Sequence, residues 1–445
     1  MASIKPRPQK DGTVSYVISV SLGRTAEGKQ IFKYATFTPT SKAPTKAEKE
    51  VQAFAIDFEN KVKNGDIVSG DKITFAEFVK IWEENWLPAK TPGVRENYKD
   101  VLRIRVIPEI GFMKLTNIRA THIDKIIKKE QEEEKAPKTV RMTFTVINSV
   151  FRYAVKKQYV RENPCLRCDD LPPVEMRTGE DLSFFNEDQA KRFMNDALTM
   201  EYEITFGERH RKNKKTGEKY TIKGYKVKKK IDLMWQVYFT MAIHTTMRRG
   251  EMCALTWDDI DFDKGIISIT KALAMTKADG QYIKDPKTKA GIRDIYIPAS
   301  LITLLKQWKK EQIALCLKLG TAWKGHRNTI NKAGKIEDTF EQNTIFIQDK
   351  EIGKPLHLST PGHKFHEIID MYNSTCEKEE MKLPYIRLHD LRHTGATLLL
   401  GKNTDIETVS KRLGHSKASV TLDIYGHALP ENDRIASETL EAIFK

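Results

Sequence analysis

At 445 residues the chain is too long for one ordinary domain, and an apolar fraction of 40% supplies two or three real cores, which excludes a disordered chain. Lys plus Arg number 75 against 60 Asp plus Glu, a net charge of +15 that suits a polyanion such as nucleic acid. No stretch reaches the roughly 18 apolar residues of a membrane span, and the residues after Met1 hold no apolar run of the secretory kind. The 5 cysteines are scattered and fit a reduced interior; Cys165 and Cys168 form a lone C-x-x-C with no second pair to complete a zinc site. No metal is expected, and the expected location is the cytoplasm.

In residues 1–70, Tyr16, Ile18 and Val20 alternate with Val17, Ser19 and Ser21, which predicts a strand. Gly23–Lys29 supplies a turn, and Ile31–Phe37 returns as a second strand. A helix follows from Thr45, with Glu48 three residues on, towards Val62. Arg24, Lys29 and Lys33 are expected to make one face of this sheet basic, as DNA-binding candidates; the plainer reading is a solubilising appendage.

Residues 73–166 read as an all-helical domain. Phe75, Phe78, Val79 and Trp82 recur at i, i+3, i+4 and i+7 on a helix opened by Thr74. A second stripe, Val140, Phe144, Ile147, Val150, Phe151 and Val155, marks a helix over Lys138–Gln158. Its other face carries Lys138, Arg141, Arg152, Lys156 and Lys157, of which Arg141, Arg152 and Lys156 are DNA-binding candidates. Asn163–Ser183, with Pro164, Pro172 and Pro173, predicts an exposed linker, with the domain division at 167–183.

Residues 184–445 are long enough for one large mixed domain, opened by a helix after Asn186. Phe206–Lys230 is a strongly basic insertion whose Lys219–Val227 part alternates like a hairpin, with Gly224 near a turn. Gly320–Asp338 reads as a loop.

Five segments of this domain make chemical sense together. In Thr245–Glu251, Arg248 and Glu251 are three apart, so a carboxylate can orient a guanidinium for phosphate. In Pro286–Pro298, between strand-like Ile266–Ile269 and Asp294–Ile297, Lys287 and Lys289 are placed near a β-turn. His389-Asp390-Leu391-Arg392-His393 sets His389 and Arg392 three apart on one helical turn. Leu413-Gly414-His415 follows, and Tyr425 lies ten residues beyond His415. Taken singly, each has a bland reading: a surface ion pair, a solvated lysine, a packed tyrosine.

In this order the set closely resembles the tyrosine recombinase (phage integrase) family, whose catalytic residues run Arg, Lys, His-x-x-Arg, His or Trp, then Tyr. Arg248 matches the first arginine, Glu251 its acidic companion, and Lys289 the hairpin lysine, with Lys287 as the alternative. The family usually has glycine where this chain has Thr246, and the basic insertion lies outside its common pattern. The resemblance implies a multidomain α+β protein with three parts. These are a small β-sheet arm-binding domain (1–70), an all-helical core-binding domain (73–166) and a mainly helical catalytic domain with a C-terminal tail (184–445). It is similar in this to integrases of conjugative transposons and related phages.

The resemblance also implies a chemistry. Tyr425 attacks a backbone phosphorus to leave a 3′-phosphotyrosyl link and a 5′-hydroxyl, so no ATP is needed. Arg248 and Arg392 grip the phosphate oxygens, His389 and His415 add hydrogen bonds with His389 a candidate base, and Lys289 protonates the leaving oxygen. No cofactor is expected. The expected partners are double-stranded DNA with core and arm sites, three further copies in a homo-tetramer, and an excisionase or host DNA-bending protein. Two other readings share parts of this pattern: a type IB topoisomerase-like relaxing enzyme and a non-catalytic DNA-binding regulator.

Overall fold

The structure, a computed structural model, describes residues 2–9, 13–24, 28, 30–41, 43–63, 72–169, 171–173, 183–212, 216–286, 289–324, 329–330, 336–337, 343–426 and 432–444. The chain forms two compact units, residues 1–175 and 176–445.

The first unit opens with an antiparallel sheet of β1 (Ser3–Pro8), β2 (Val14–Arg24) and β3 (Gln30–Phe37). Strand β1 escaped the sequence pattern because Pro6 and Pro8 interrupt it; an edge strand tolerates them because its outer N–H groups need no partner. Helix α1 (Pro44–Lys63) covers one face, burying Ile18 and Val20 against Ala55, Phe58 and Val62. The expected basic face needs correcting. Lys33 pairs with Val20 and so shares the helix-covered face, whereas Phe32 and Tyr34 are exposed on the other. Lys29 and the Arg24 side chain lie outside the described residues.

Five helices follow: α2 (Phe75–Asn85), α3 (Pro92–Val101), α4 (Ile107–Ile110), α5 (Ala120–Glu132) and α6 (Pro137–Lys156), with a π-helical turn, Leu102–Val106, joining α3 to α4. Thr74 and Glu77 close a reciprocal capping box at the start of α2. The two apolar stripes meet in one core, where Phe75, Phe78, Trp82, Val140, Ile147, Val150 and Phe151 are buried. Each such side chain contributes about 1.5–3 kcal/mol by leaving water. Arg152 and Lys156 face solvent on α6, but Arg141 donates to the Pro172 carbonyl. Asn163 and Cys165 are buried rather than part of an exposed linker, because the Asn163 side chain bonds Asn148 and caps Cys165 N at 3.0 Å.

In the second unit, α7 (Glu187–Arg192) precedes a nested hairpin of β4 (Glu201–Phe206), β5 (Arg209–Lys212), β6 (Lys219–Ile222) and β7 (Tyr225–Lys230). Here the expected hairpin about Gly224 is overturned: β6 pairs with β5, and β7 pairs with β4. Gly224 marks the break between the two levels, where a Cβ would lie 2.9 Å from the Phe206 carbonyl oxygen.

Helix α8 (Leu233–Thr245) is apolar on every side and forms the core axis, with Trp235, Tyr238 and Phe239 packed against Phe193, Phe346 and Phe365. After α9 (Arg249–Cys253) come β8 (Ile260–Asp261), β9 (Ile266–Ile269), β10 (Ala272–Thr276), β11 (Gly280–Lys284) and β12 (Arg293–Tyr296). Strands β12, β9 and β8 form one sheet, as the flanking apolar runs predict, but a second hairpin, β10–β11, sits between β9 and β12. Helix α10 (Ala299–Leu319) leads to the short pair β13 (Thr329–Ile330) and β14 (Ile336–Glu337), where a loop was expected. The unit ends in α11 (Thr360–Thr375), α12 (Asp390–Gly401), α13 (Ile406–Leu413), α14 (Ala418–Tyr425) and α15 (Asn432–Phe444).

Candidate active site

The site grows from the end of α8. Its chain turns sharply at Thr246, which adopts the left-handed conformation (φ 54°, ψ 25°) and caps the Ala242 carbonyl. Gly395 of α12 packs into this corner, where a Cβ would lie 2.5 Å from Ile243 O. The turn aims Arg248 at the start of α9, and Glu251 reaches back to it: Arg248 donates to Glu251 through its backbone N at 2.9 Å and through Nη1 at 2.8 Å. Glu251 is buried, and it also accepts from Arg293 Nη2 of β12 at 2.9 Å and Nη1 at 3.3 Å. Arg293 is itself held by the Arg412 carbonyl at 2.8 Å.

Arg392, in the first turn of α12, is buried. Its Nη1 donates to Thr246 O and its Nη2 to Leu413 O, both at 2.7 Å, and Nη2 also meets His415 Nε2 at 3.1 Å. A guanidinium carries only donors, so His415 accepts at Nε2 and its Nδ1–H donates to Thr421 Oγ1 at 2.9 Å. Tyr425 ends α14 with 1% of its surface exposed, among Ala396, Leu400, Val409 and Leu413. Its hydroxyl meets His393 Nδ1 at 2.7 Å. Arg248, Gly250, Glu251, Leu273, Lys284 and His415 line a cleft of about 570 Å³.

A sequence model of the phage integrase family matches residues 224–432, and one of the phage integrase central domain matches 75–170. A XerC-like tyrosine recombinase of Caldanaerobacter subterraneus is 26% identical, with 98% of each chain aligned. The ICEBs1 integrase of Bacillus subtilis is 25% identical over 83% of each chain. The chain belongs to the phage integrase family of tyrosine recombinases. It is thus one of a class of enzymes that break and rejoin DNA. In fold it matches the Tn1549 transposon integrase bound to a circular intermediate DNA, with a TM-score of 0.59 and 18% identity over 83% of this chain and 99% of that one.

The electrostatics suit a recombinase floor built for an anion. Burial beside Arg248 pushes the Arg392 pKa down to about 9, which leaves it charged at neutral pH. The Glu251 carboxyl is raised by burial, but its bonds to Arg293 and Arg248 outweigh this and hold it below the usual range. Burial and Arg392 push His415 down to about 4, so it is neutral and can bond both neighbours. Burial raises the Tyr425 phenol to about 12. His389 sits at the solvent-exposed rim just before α12. Crowding by protein beneath it and then the Arg392 charge lower its pKa.

Of the residues singled out from sequence, Arg248, Glu251, Arg392, His415 and Tyr425 converge here. The His389 ring meets His393 edge-on, with centroids 5.2 Å apart, rather than Tyr425. Lys289 opens a short turn, Lys289–Gly291; Lys287 and the Lys289 side chain lie outside the described residues. Two residues of the cluster were not picked out. Arg293 carried a signal, a charged residue immediately before the strand-like Asp294–Ile297 run, and His393 stood inside the quoted motif without a spacing rule to mark it. Among the described residues no group of three or more His, Cys, Asp or Glu side chains could hold a metal, and no helix is long and apolar enough to cross a membrane.

Proposed function

We propose that this recombinase is an integrase that moves a mobile element by site-specific exchange, with Tyr425 as nucleophile. The observation that carries this is the convergence of Arg248, Arg392 and His415, linked through His415 and the Leu413–Gly414 backbone beside a buried Tyr425, from segments far apart in sequence. A phosphate seated between the two guanidinium groups meets preorganised positive charge, where its transition state needs it. Tyr425 then forms the 3′-phosphotyrosyl link, and Lys289 protonates the 5′-oxygen. The mobile-element role rests on relatives named as the ICEBs1 integrase and the transposase of transposon Tn916.

In the same reading, residues 1–70 bind arm-type DNA sites, 73–166 clamp the core site, and 184–445 do the chemistry. The enzyme works in the cytoplasm as a tetramer on two duplexes, and an excisionase or DNA-bending protein sets direction. Helix α15 supports the tetramer: Leu440, Ile443 and Phe444 are 56%, 68% and 83% exposed, an apolar face suited to a neighbouring protomer. The test is adduct formation on a nicked suicide substrate in excess EDTA without ATP. Wild type is expected to become DNA-linked and Tyr425→Phe to bind without linkage; linkage by the variant, or a strict need for magnesium, overturns the reading.

A further inference from the structure

Three aromatic rings stand in series beside the phosphate-gripping floor. His389 meets His393 edge-on, and His393 meets Tyr425 with centroids 5.5 Å apart. Between His393 Nδ1 and the Tyr425 hydroxyl lies a 2.7 Å hydrogen bond. The geometry of α12 explains the division of labour. Successive side chains on a helix point about 100° apart, so Arg392 turns towards Thr246 and Leu413 while His393 turns towards α14.

Protonation states give the bond its direction. Burial and then His389 push the His393 imidazole down to about 4, and burial pushes the Tyr425 phenol up to about 12, so both are neutral near pH 7. The phenol, the stronger acid of the pair, donates, and Nδ1 accepts with Nε2 carrying the ring proton. This aims the hydroxyl hydrogen at His393 and away from the Oη lone pairs that attack phosphorus in the proposed reaction.

We propose that His393 is a further catalytic residue of this enzyme, which accepts the Tyr425 hydroxyl proton at Nδ1 and so both orients and deprotonates the nucleophile. The inference rests on the reading of Tyr425 as nucleophile, and it moves the base role away from His389. The step balances. As Oη–P forms, the Oη–H bond breaks and its proton goes to Nδ1; as P–O5′ breaks, the leaving oxygen takes a proton from Lys289. Religation runs both transfers backwards. A DNA phosphate brings negative charge to the site, which favours the imidazolium and strengthens the base as substrate arrives. The other charged or titratable groups facing this imidazole are His389, Asp390, Arg392 and Arg387.

The test measures single-turnover adduct formation on the nicked suicide substrate from pH 4 to 9, using full-length protein, with gel-shift affinity and thermal melting alongside. His393→Phe removes the acceptor; His393→Asn places an acceptor near the Nδ1 position without its basicity. We expect the phenylalanine variant to lose about 10²-fold in rate with unchanged DNA affinity. The asparagine variant should recover part of that loss, and both should lack the acid limb of the wild-type profile. Imidazole ¹⁵N spectra of histidine-labelled protein should show an acceptor Nδ1 at His393 that changes in Tyr425→Phe. This readout needs no His393 variant to fold. Wild-type rates in His393→Phe, or a His393 Nδ1 signal indifferent to Tyr425→Phe, overturn the proposal. So does an acid limb abolished by His389→Asn but kept in His393→Asn. If Tyr425→Phe still forms the adduct, the nucleophile assignment itself has failed; if it is inert while both His393 variants cleave normally, only the present inference has.

Discussion

On the floor of the site Arg392 is buried and fixed by two carbonyls and His415, and the Arg293–Glu251 pair beneath Arg248 is 7% and 5% exposed. At the edge beyond β11 the chain makes one short turn from Lys289 to Gly291, and the next side chain, Ile292, is 58% exposed. The floor cations are part of the folded core, so their orientation is set before DNA arrives and costs nothing at the moment of reaction. The edge lysine opens a turn whose backbone touches the floor, Gly291 O accepting from Arg293 Nη1 at 3.1 Å, while none of the described floor contacts runs through the lysine backbone or its neighbour Ile292. Removing a floor residue should therefore damage fold and chemistry together, and removing the edge lysine should damage chemistry alone.

The largest effect is expected at Arg392. Arg392→Ala leaves Thr246 O and Leu413 O without their Arg392 donor and takes one charge from the proposed phosphate grip. We expect cleavage to fall about 10²–10³-fold and unfolding to become easier by about 1–3 kcal/mol, the cost of buried carbonyls left without a donor. Arg392→Lys is expected to rescue little, because a point charge cannot span two carbonyls and a histidine. Single-turnover cleavage and urea denaturation check both; full stability in Arg392→Ala would deny the floor its structural role.

Glu251 comes next. Its loss leaves Arg293 buried and unpaired, so Glu251→Ala should cost about 3–5 kcal/mol of stability. Arg248, 41% exposed, keeps its charge but loses the carboxylate that aims it, and cleavage should fall about tenfold or more. A double variant with Arg293→Met should recover stability but not cleavage. Recovery of both would mean that Glu251 acts only through the core.

Both floor predictions turn on contacts that differ in how far they reach along the chain. Arg248 and Glu251 could be paired from sequence because three residues of separation suffice. The bond from Arg293 to Glu251 spans 42 residues and that from Arg392 to Thr246 spans 146, and no periodicity encodes such a distance. The same limit explains the fold. The Phe75–Trp82 stripe was legible because one helix buries it on one face. Strand β5 was not, because a run as polar as Arg209–Lys212 is placed only by its partner, and the alternation over Lys219–Val227 marks β6 as a strand without saying that it pairs back to β5. The sheet-face expectation for Lys33 failed for a related reason: which face a helix covers is a tertiary fact.

At the edge, Lys289→Ala should lower cleavage by about 10²-fold, the usual size of a lost general acid, while leaving the melting temperature unchanged. A substrate with sulfur in place of the bridging 5′-oxygen carries a leaving group that needs no proton. On it Lys289→Ala should cleave at close to the wild-type rate, and Arg392→Ala should not. Equal rescue of both variants would erase the distinction between floor and edge; rescue by Lys287→Ala but not Lys289→Ala would move the acid to Lys287.

The smallest effect is expected just under the floor, at Thr246. A β-branched residue held in the left-handed conformation carries a strain of about 1–3 kcal/mol, and the Thr246 hydroxyl is buried without a hydrogen-bond partner among the described residues. Thr246→Gly relieves both. Against this, glycine adds about 0.4–1 kcal/mol of unfolded-state entropy and removes a methyl group packed against Gly395. The terms leave a net gain of about 1 kcal/mol, read as a small rise in melting temperature. Cleavage should stay within about twofold of wild type, because Arg392 is held by the Thr246 carbonyl and the variant keeps that carbonyl. A loss of stability would show that the methyl packing outweighs the strain. A large loss of cleavage with stability intact would show that the threonine side chain, and not merely its backbone, sets the Arg392 grip.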